Sequence, residues 1–327
     1  MKAIVSRHLL ALDGYRLDNV EVREPERDEV SVRVHVAGVS FVDVLIACGG
    51  HQNRPALPYI PGSECAGVIE AVGPEGDQSR IGERVCVMPL GGAYAERVVV
   101  PGSAALTIPY EMSFSEAAIV QVNYITAYHA LVERAHIGPQ ETVLVLGAGG
   151  GVGSASVQLA RALGARVVAS ASSAEKRAAA LSAGASVTID SNPAGWRDAV
   201  RDATDGCGPD IVIDPVCGNL FELAFRSLAW GGRHMVVGFA AGTIPTLNAN
   251  LPLLKGASLM GVESKQALDR DPGLRPRAMN CMFDFFRNGL IRPRVGRLFE
   301  FDEFAMAMKQ ASSGQSAGHM VLKTIAE

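Results

Sequence analysis

The sequence predicts an α/β protein in which a β-rich N-terminal domain is interrupted by a doubly wound parallel sheet. Three observations predict it. From Lys2 to about Val100, short strands follow one another with few helical signals. From about Asn123, apolar runs of strand length alternate with helical stretches, and a glycine cluster closes the first of those runs. Strands bare of polar residues and separated by helices suit a parallel sheet covered on both faces.

The chain has 327 residues, which suits two domains at roughly 100–200 residues each. It is 48% hydrophobic and 20% charged, a globular balance that excludes a disordered or fibrous chain. Thirty basic residues against 34 acidic ones give a net charge of −4, so no nucleic-acid partner is expected. Met1–Arg7 has no apolar run after its basic residues, and no secretory signal is expected there. The longest uncharged run, Thr142–Ala160, reads as strand, turn and helix because of its glycines, so no membrane partner is expected. Six scattered cysteines, no two separated by only two residues, suit reduced thiols in a cytoplasmic protein.

Taken in order, Val30–Val36 alternates with period two, as a half-buried strand does. Ala66–Gly73 and Arg84–Met88 follow as strands bounded by Gly and Pro. Thr142–Leu146 is a continuous apolar strand, and a helix over Val152–Leu163 ends at Gly164. Then come a strand at Arg166–Ser170, a helix at Ala174–Ser182, a strand at Val187–Ile189 and a helix at Ala194–Arg201. A strand at Asp210–Asp214, a helix at Asn219–Leu228 and strands at His234–Gly238 and Ser258–Val262 complete the series. Beyond lie helices at Arg275–Asn288 and Asp302–Ser312 and a strand at Met320–Lys323. These last 65 or so residues hold too few elements for a domain of their own. They are expected to complete the first, giving domains 1–122, 123–262 and 263–327.

Leu146-Gly147-Ala148-Gly149-Gly150-Gly151-Val152-Gly153 lies directly after an apolar strand and opens a helix. The register Ala148-x-Gly150-x-x-Gly153 fits a dinucleotide turn with Ala at the first glycine position. Bare backbone lets a pyrophosphate approach, and the N–H groups that open the helix meet its charge. An NAD-binding chain places an acid about 20 residues further on. Here Ala171 stands at that place, followed by Ser172, Ser173, Lys176 and Arg177. Hydroxyls and cations suit the extra phosphate of NADP, and capping of the next helix by either serine is compatible with that role.

Leu57–Gly73 (LPYIPGSECAGVIEAVG), Gly38–Val44, Gly91–Glu96, Thr126–Leu131 and Gly147–Gly153 together resemble the medium-chain dehydrogenase/reductase superfamily, in its quinone oxidoreductase branch. The match covers essentially the whole chain in the expected order. It implies a GroES-like catalytic domain interrupted by a Rossmann dinucleotide-binding domain. Where the alcohol dehydrogenase branch holds catalytic zinc, this chain has Ser40, Ser63 and Val122, none a good zinc ligand. The cysteine-rich structural-zinc lobe is missing between Pro74 and Pro109, and Glu64 alone cannot hold the metal. The resemblance therefore implies a zinc-independent, NADPH-dependent reductase whose acceptor already carries an electron-poor carbon, such as a quinone or an α,β-unsaturated carbonyl compound. A 2-enoyl-thioester reductase and an NADPH-binding structural or sensor protein with little turnover are the alternatives.

Candidate catalytic groups are Ser40, as a donor to substrate oxygen, and His51, as a proton donor where relatives often carry Tyr. The cofactor set is Gly149, Gly150, Gly151, Val152, Gly153, Ser172, Ser173, Lys176 and Arg177, with Thr126, Gly238 and Phe239 toward nicotinamide by resemblance. Tyr59 and Tyr128 read as packing residues, with pocket lining as the alternative, and Gln121 and Asn123 as candidates to touch substrate or nicotinamide. His319 stands where relatives often place a phosphate-contacting Lys, and Ser191 where some place a Tyr for the 2′-phosphate. No metal ligand is assigned. Relatives often pair through an edge strand of the nucleotide domain, which implies a homodimer using His234–Phe239 and Ser258–Val262.

Overall fold

The computed structural model describes residues 1–9, 12–52 and 54–324, with Asp13 described in backbone only. Two compact units make up the chain: Met1–Val122 with Pro293–Glu327, and Asn123–Arg292.

The first unit opens with β1 (Lys2–Val5) and β2 (Arg16–Asn19), an antiparallel pair. The long β3 (Glu29–Val39) follows, then α1 (Phe41–Ala47), β4 (Cys65–Val72), β5 (Arg84–Val87), β6 (Arg97–Pro101), β7 (Leu106–Thr107) and α2 (Phe114–Ala117). β3 is the hub. Its alternation buries Val32, Val34 and Val36 while Arg33 stays exposed, and it pairs antiparallel with both β4 and β6. Ile4, Tyr15, Val34, Ile69, Val85 and Tyr94 pack into the core. α3 (Gln121–Tyr128) carries the chain across the unit boundary.

The second unit is a six-stranded parallel sheet. β8 (Thr142–Val145), α4 (Gly151–Ala162), β9 (Arg166–Ala171), α5 (Ala174–Ser182), β10 (Val187–Asp190) and α6 (Trp196–Ala203) form its first half. β11 (Ile211–Asp214), α7 (Phe221–Ser227), β12 (Arg233–Val236), α8 (Asn250–Lys255) and β13 (Ser258–Gly261) form the second. The strand order β10-β9-β8-β11-β12-β13 is that of the doubly wound dinucleotide fold. Leu144, Val168, Trp196, Val212 and Phe225 fill one side of it. Among the described residues no helix is long and apolar enough to cross a membrane.

One expected boundary is corrected. The second unit runs to Arg292 rather than ending at 262, because α9 (Ser264–Arg270) and α10 (Leu274–Arg287) belong to it. Arg277 on α10 pairs with Glu133 at 3.1 Å, and the Arg292 N–H donates to Gln158 Oε1 at 2.5 Å. The chain then completes the first unit with β14 (Val295–Glu300), α11 (Phe304–Ser313) and β15 (His319–Lys323). β15 lies between β14 and β3 in a sheet ordered β14-β15-β3-β4-β5-β7.

Candidate functional site

The glycine turn between β8 and α4 is pinned by backbone geometry. Gly147 adopts φ +58°, a conformation open to glycine. The Gly150 N–H donates to the Gly147 carbonyl at 2.9 Å, and the Ala148 N–H to the Ser170 carbonyl at 3.1 Å. A Cβ on Gly153 would lie 2.2 Å from the Gly147 oxygen, so helix and strand approach as closely as backbone allows. Gly150 is the N-cap of α4 and brings no side chain to cap it. The first-turn N–H groups of Gly151, Val152 and Gly153 therefore receive no side-chain cap from Gly150 at an electropositive helix end. A diphosphate fits there in charge and in steric access.

The corner between β9 and α5 adds cations. Ser173 caps α5, its Oγ accepting from the Lys176 N–H at 3.2 Å. The Lys176 side chain covers Gly149, where a Cβ would meet its Cγ at 2.6 Å, and its Nζ reaches Ser172 Oγ at 3.5 Å. Partial burial lowers the pKa of this ammonium. Arg177 turns the other way. Its guanidinium donates to the Ala171 carbonyl at 3.0 Å and pairs with Asp190 at 2.7 Å. Asp190 ends β10 beside Ala171, so the nearest acid is matched by a cation. Ser191 shares a hydrogen bond with Ser170 at 2.9 Å, and Ser170 also accepts from the Trp196 indole at 3.1 Å.

The remaining cofactor candidates of this unit are dispersed. Thr126 Oγ1 accepts from Ser264 Oγ at 3.1 Å on α3. Gly238 follows β12, with the Pro215 carbonyl 3.4 Å from the place of a Cβ, and Phe239 is 42% exposed. Asn123 is buried and Tyr128 partly buried.

In the first unit Ser40 and Ser63 are tied to one carboxylate, that of Asp43. Ser40 is the N-cap of α1. It donates through Oγ to Asp43 Oδ2 at 2.7 Å and accepts from the Asp43 N–H at 3.1 Å. Ser63 Oγ donates to Asp43 Oδ1 at 2.5 Å, and the Tyr94 hydroxyl to Oδ2 at 3.3 Å. Asp43 is fully buried, and burial raises its pKa although the hydrogen bonds from Ser63 and Ser40 oppose the rise. Glu64 Oε2 accepts from the N–H groups of Gln121 and Val122, at 2.9 and 3.1 Å, where α3 begins. Burial lifts the Glu64 pKa to about 8, with the Asp43 charge adding to the rise. The Tyr59 hydroxyl is buried without a hydrogen-bond partner among the described residues.

The geometry places two further candidates. Ser40 gives its hydroxyl proton to Asp43 and accepts from the Asp43 N–H as the cap of α1. His319 is buried at the start of β15, where desolvation lowers its pKa to about 4, and a neutral ring cannot replace a lysine charge. His51 is half-buried in a bend, in the loop 51–54 whose Asn53 lies outside the described residues. The zinc question turns on donor chemistry. Two serines committed to Asp43 and an aliphatic Val122 offer zinc no thiolate, imidazole or free carboxylate. No cluster of three His, Cys, Asp or Glu able to hold a metal occurs among the described residues. Sequence reasoning missed Asp43 and Asp190, although the Ser40-x-x-Asp43 spacing is a local capping signal.

Comparison with known proteins agrees with this architecture. Residues 26–110 match the alcohol dehydrogenase GroES-like domain, and residues 151–270 match the zinc-binding dehydrogenase domain. A quinone oxidoreductase-like protein 2 homolog of Nematostella vectensis is 36% identical over 299 residues, 90% of this chain and 82% of that protein. The quinone oxidoreductase of Homo sapiens is 31% identical over 306 residues, 93% of this chain and 92% of that protein. The quinone oxidoreductase of Thermus thermophilus, solved alone and with NADPH, superposes with a TM-score of 0.85 at 34% identity, covering 99% of this chain and 100% of that one. A GroES-like sheet unit interrupted by a parallel-sheet nucleotide unit, with relatives this similar along nearly its whole length, makes the chain a member of the medium-chain dehydrogenase/reductase superfamily, in the quinone oxidoreductase branch.

Proposed function

We propose that this protein is an NADPH-dependent, zinc-independent reductase of quinones or of α,β-unsaturated carbonyl compounds. The β9–α5 corner carries the cofactor choice. Ala171 replaces the ribose-binding acid, Lys176 covers Gly149 and reaches Ser172, and Arg177 neutralises Asp190. A 2′-phosphate would meet hydroxyls and an ammonium there instead of an uncompensated carboxylate. The names of the relatives and the NADPH complex of the Thermus thermophilus protein support the same reading.

Bound NADPH would supply hydride. Gly149, Gly150, Gly151, Val152 and Gly153 hold the diphosphate at the start of α4, and Lys176, Ser172 and Ser173 take the 2′-phosphate. Arg177 serves indirectly, by cancelling the charge of Asp190. Thr126, Gly238 and Phe239 receive the nicotinamide half. With Ser40 and Ser63 bound to Asp43, the chain provides no Lewis acid to stabilise an alkoxide. The acceptor must therefore be electron-poor before it binds, and His51 is the proposed source of the proton that completes reduction.

Initial rates with NADPH and NADH against a small quinone and crotonyl-CoA test the reading. NADPH-dependent quinone turnover is expected. Lys176→Ala should raise the KM for NADPH about ten- to a hundred-fold, the loss of one charged hydrogen bond, with the KM for NADH unchanged. An unchanged KM for NADPH removes the phosphate role. Turnover of crotonyl-CoA without quinone turnover makes the protein a thioester reductase.

A further inference from the structure

We infer that the nucleotide unit carries a second anion site, distinct from the glycine turn, that takes a small molecule bearing a pyrophosphate or two neighbouring phosphates. The site is a cleft of about 470 Å³ bordered by α6, α7 and α8 and by the loop Gly206–Gly208. None of these elements contributes to the glycine turn or to the β9–α5 corner. The inference is independent of the cofactor reading.

Four cations from three elements line the cleft: Arg197 and Arg201 on α6, Arg226 on α7 and Lys255 at the end of α8. Asp198 is the acid in the lining. In a chain of net charge −4 this is a local reversal of sign. Some of the positive charge is answered. Arg226 pairs with Glu222 at 2.7 Å, and Arg201 with Asp198 at 3.3 Å, the latter pair mostly exposed.

Arg197 and Lys255 are not answered in this way. Arg197 makes no ion pair among the described residues. The Lys255 ammonium donates to the Leu228 carbonyl at 2.5 Å, a dipole that leaves its charge uncompensated. Burial and the neighbouring Arg197 charge both lower the Lys255 pKa. Two like charges facing one cleft cost free energy until an anion enters between them.

The loop decides which groups would bind. The Gly206, Cys207 and Gly208 N–H groups are all consumed, by the Arg201 carbonyl, the Thr204 carbonyl and Thr204 Oγ1. Recognition therefore falls to side chains. Arg197 and Arg201 are one helical turn apart on α6 and share a face, while Arg226 and Lys255 come from other helices. Cations spread over three elements fit a ligand with more than one anionic centre better than a single phosphate. The volume lies within the range of small-molecule sites.

Calorimetric titration of the full chain with inorganic pyrophosphate, in saturating NADPH, tests the site. One pyrophosphate should bind per chain, weakening as ionic strength rises. Arg197→Ala with Lys255→Met should reduce the affinity at least tenfold, and Lys176→Ala should leave it unchanged. Melting curves guard against a folding defect: pyrophosphate should raise the Tm of the wild type but not of the double variant, and Arg201→Ala offers a milder second variant. Displacement of pyrophosphate by NADPH, or wild-type affinity in the double variant, overturns the proposal. Orthophosphate binding as tightly as pyrophosphate overturns the two-centre geometry.

Discussion

At the scale of single residues, Glu64 shows how burial changes the behaviour of a carboxyl group. Oε2 accepts from two backbone N–H groups, while Oε1 is buried without a partner among the described residues. Desolvation raises its pKa from 4.5 to about 8, so over that interval the folded chain holds a proton that the unfolded chain releases. The stabilising contribution is complete below pH 4.5 and is lost as pH rises through about 8, with a slope of at most about 1.4 kcal/mol per pH unit. Asp43 shifts in the same direction. Melting temperatures are thus expected to fall between about pH 5 and 8. Glu64→Gln keeps the acceptor for Gln121 and Val122 and should flatten that fall; a full slope in the variant would assign it to another group. That the glycines, Ser172, Ser173 and Lys176 stand at the starts of α4 and α5 was legible in the sequence, because strand, turn and helix start are neighbours along the chain. The roles of Asp43 and Asp190 were not, since their partners Ser63 and Arg177 lie 20 and 13 residues away and meet them only after the sheets form.

At the scale of elements, the close approach of α4 to its strand is the feature most open to test. In Gly153→Ala the new methyl carbon would sit 2.2 Å from the Gly147 oxygen, a backbone atom that moves only if the turn opens. Fluorescence titration should show NADPH binding weakened by on the order of tenfold or more, with roughly 1–3 kcal/mol lost from stability. Wild-type affinity in that variant would mean the turn tolerates a side chain and is not a tight phosphate cradle. The strands and helices of the nucleotide unit from Thr142 to Ser227 were readable to within about two residues, because the buried strands are mainly apolar and α4 and α5 run into Gly164 and Gly184. α1, α8, α9 and β14 were not. α1 spans seven residues, α8 six with Pro252 inside it, and α9 seven with none buried. β14 buries Phe299 alone, so its sequence carries almost no alternation.

At the scale of the whole molecule, β13 is an outer strand of the parallel sheet and leaves one edge of its backbone unpaired among the described residues. Leu259 on β13 is 43% exposed, and Trp230, Leu253 and Leu254 are more exposed still. An open edge carrying an exposed Leu259, with further exposed apolar side chains in the same unit, is a feature that pairing with a second copy would cover. Light scattering is expected to give about twice the chain mass of 34.4 kDa, and Leu259→Lys should shift the particle to monomer; a monomeric wild type would end the homodimer reading. The two-unit division was legible from the change of rhythm near Asn123. The return point was misplaced by about thirty residues, because an amphipathic helix such as α10 shows that it needs a partner without showing which one. The insertion of β15 between β14 and β3 has a consequence for biosynthesis. On the ribosome, all strands of the nucleotide unit emerge before residue 262, whereas Val36–Val39 must wait for Met320–Lys323. The nascent N-terminal sheet stays open along that edge until residues 320–323 have emerged, which leaves an unpaired strand edge in need of chaperone shelter.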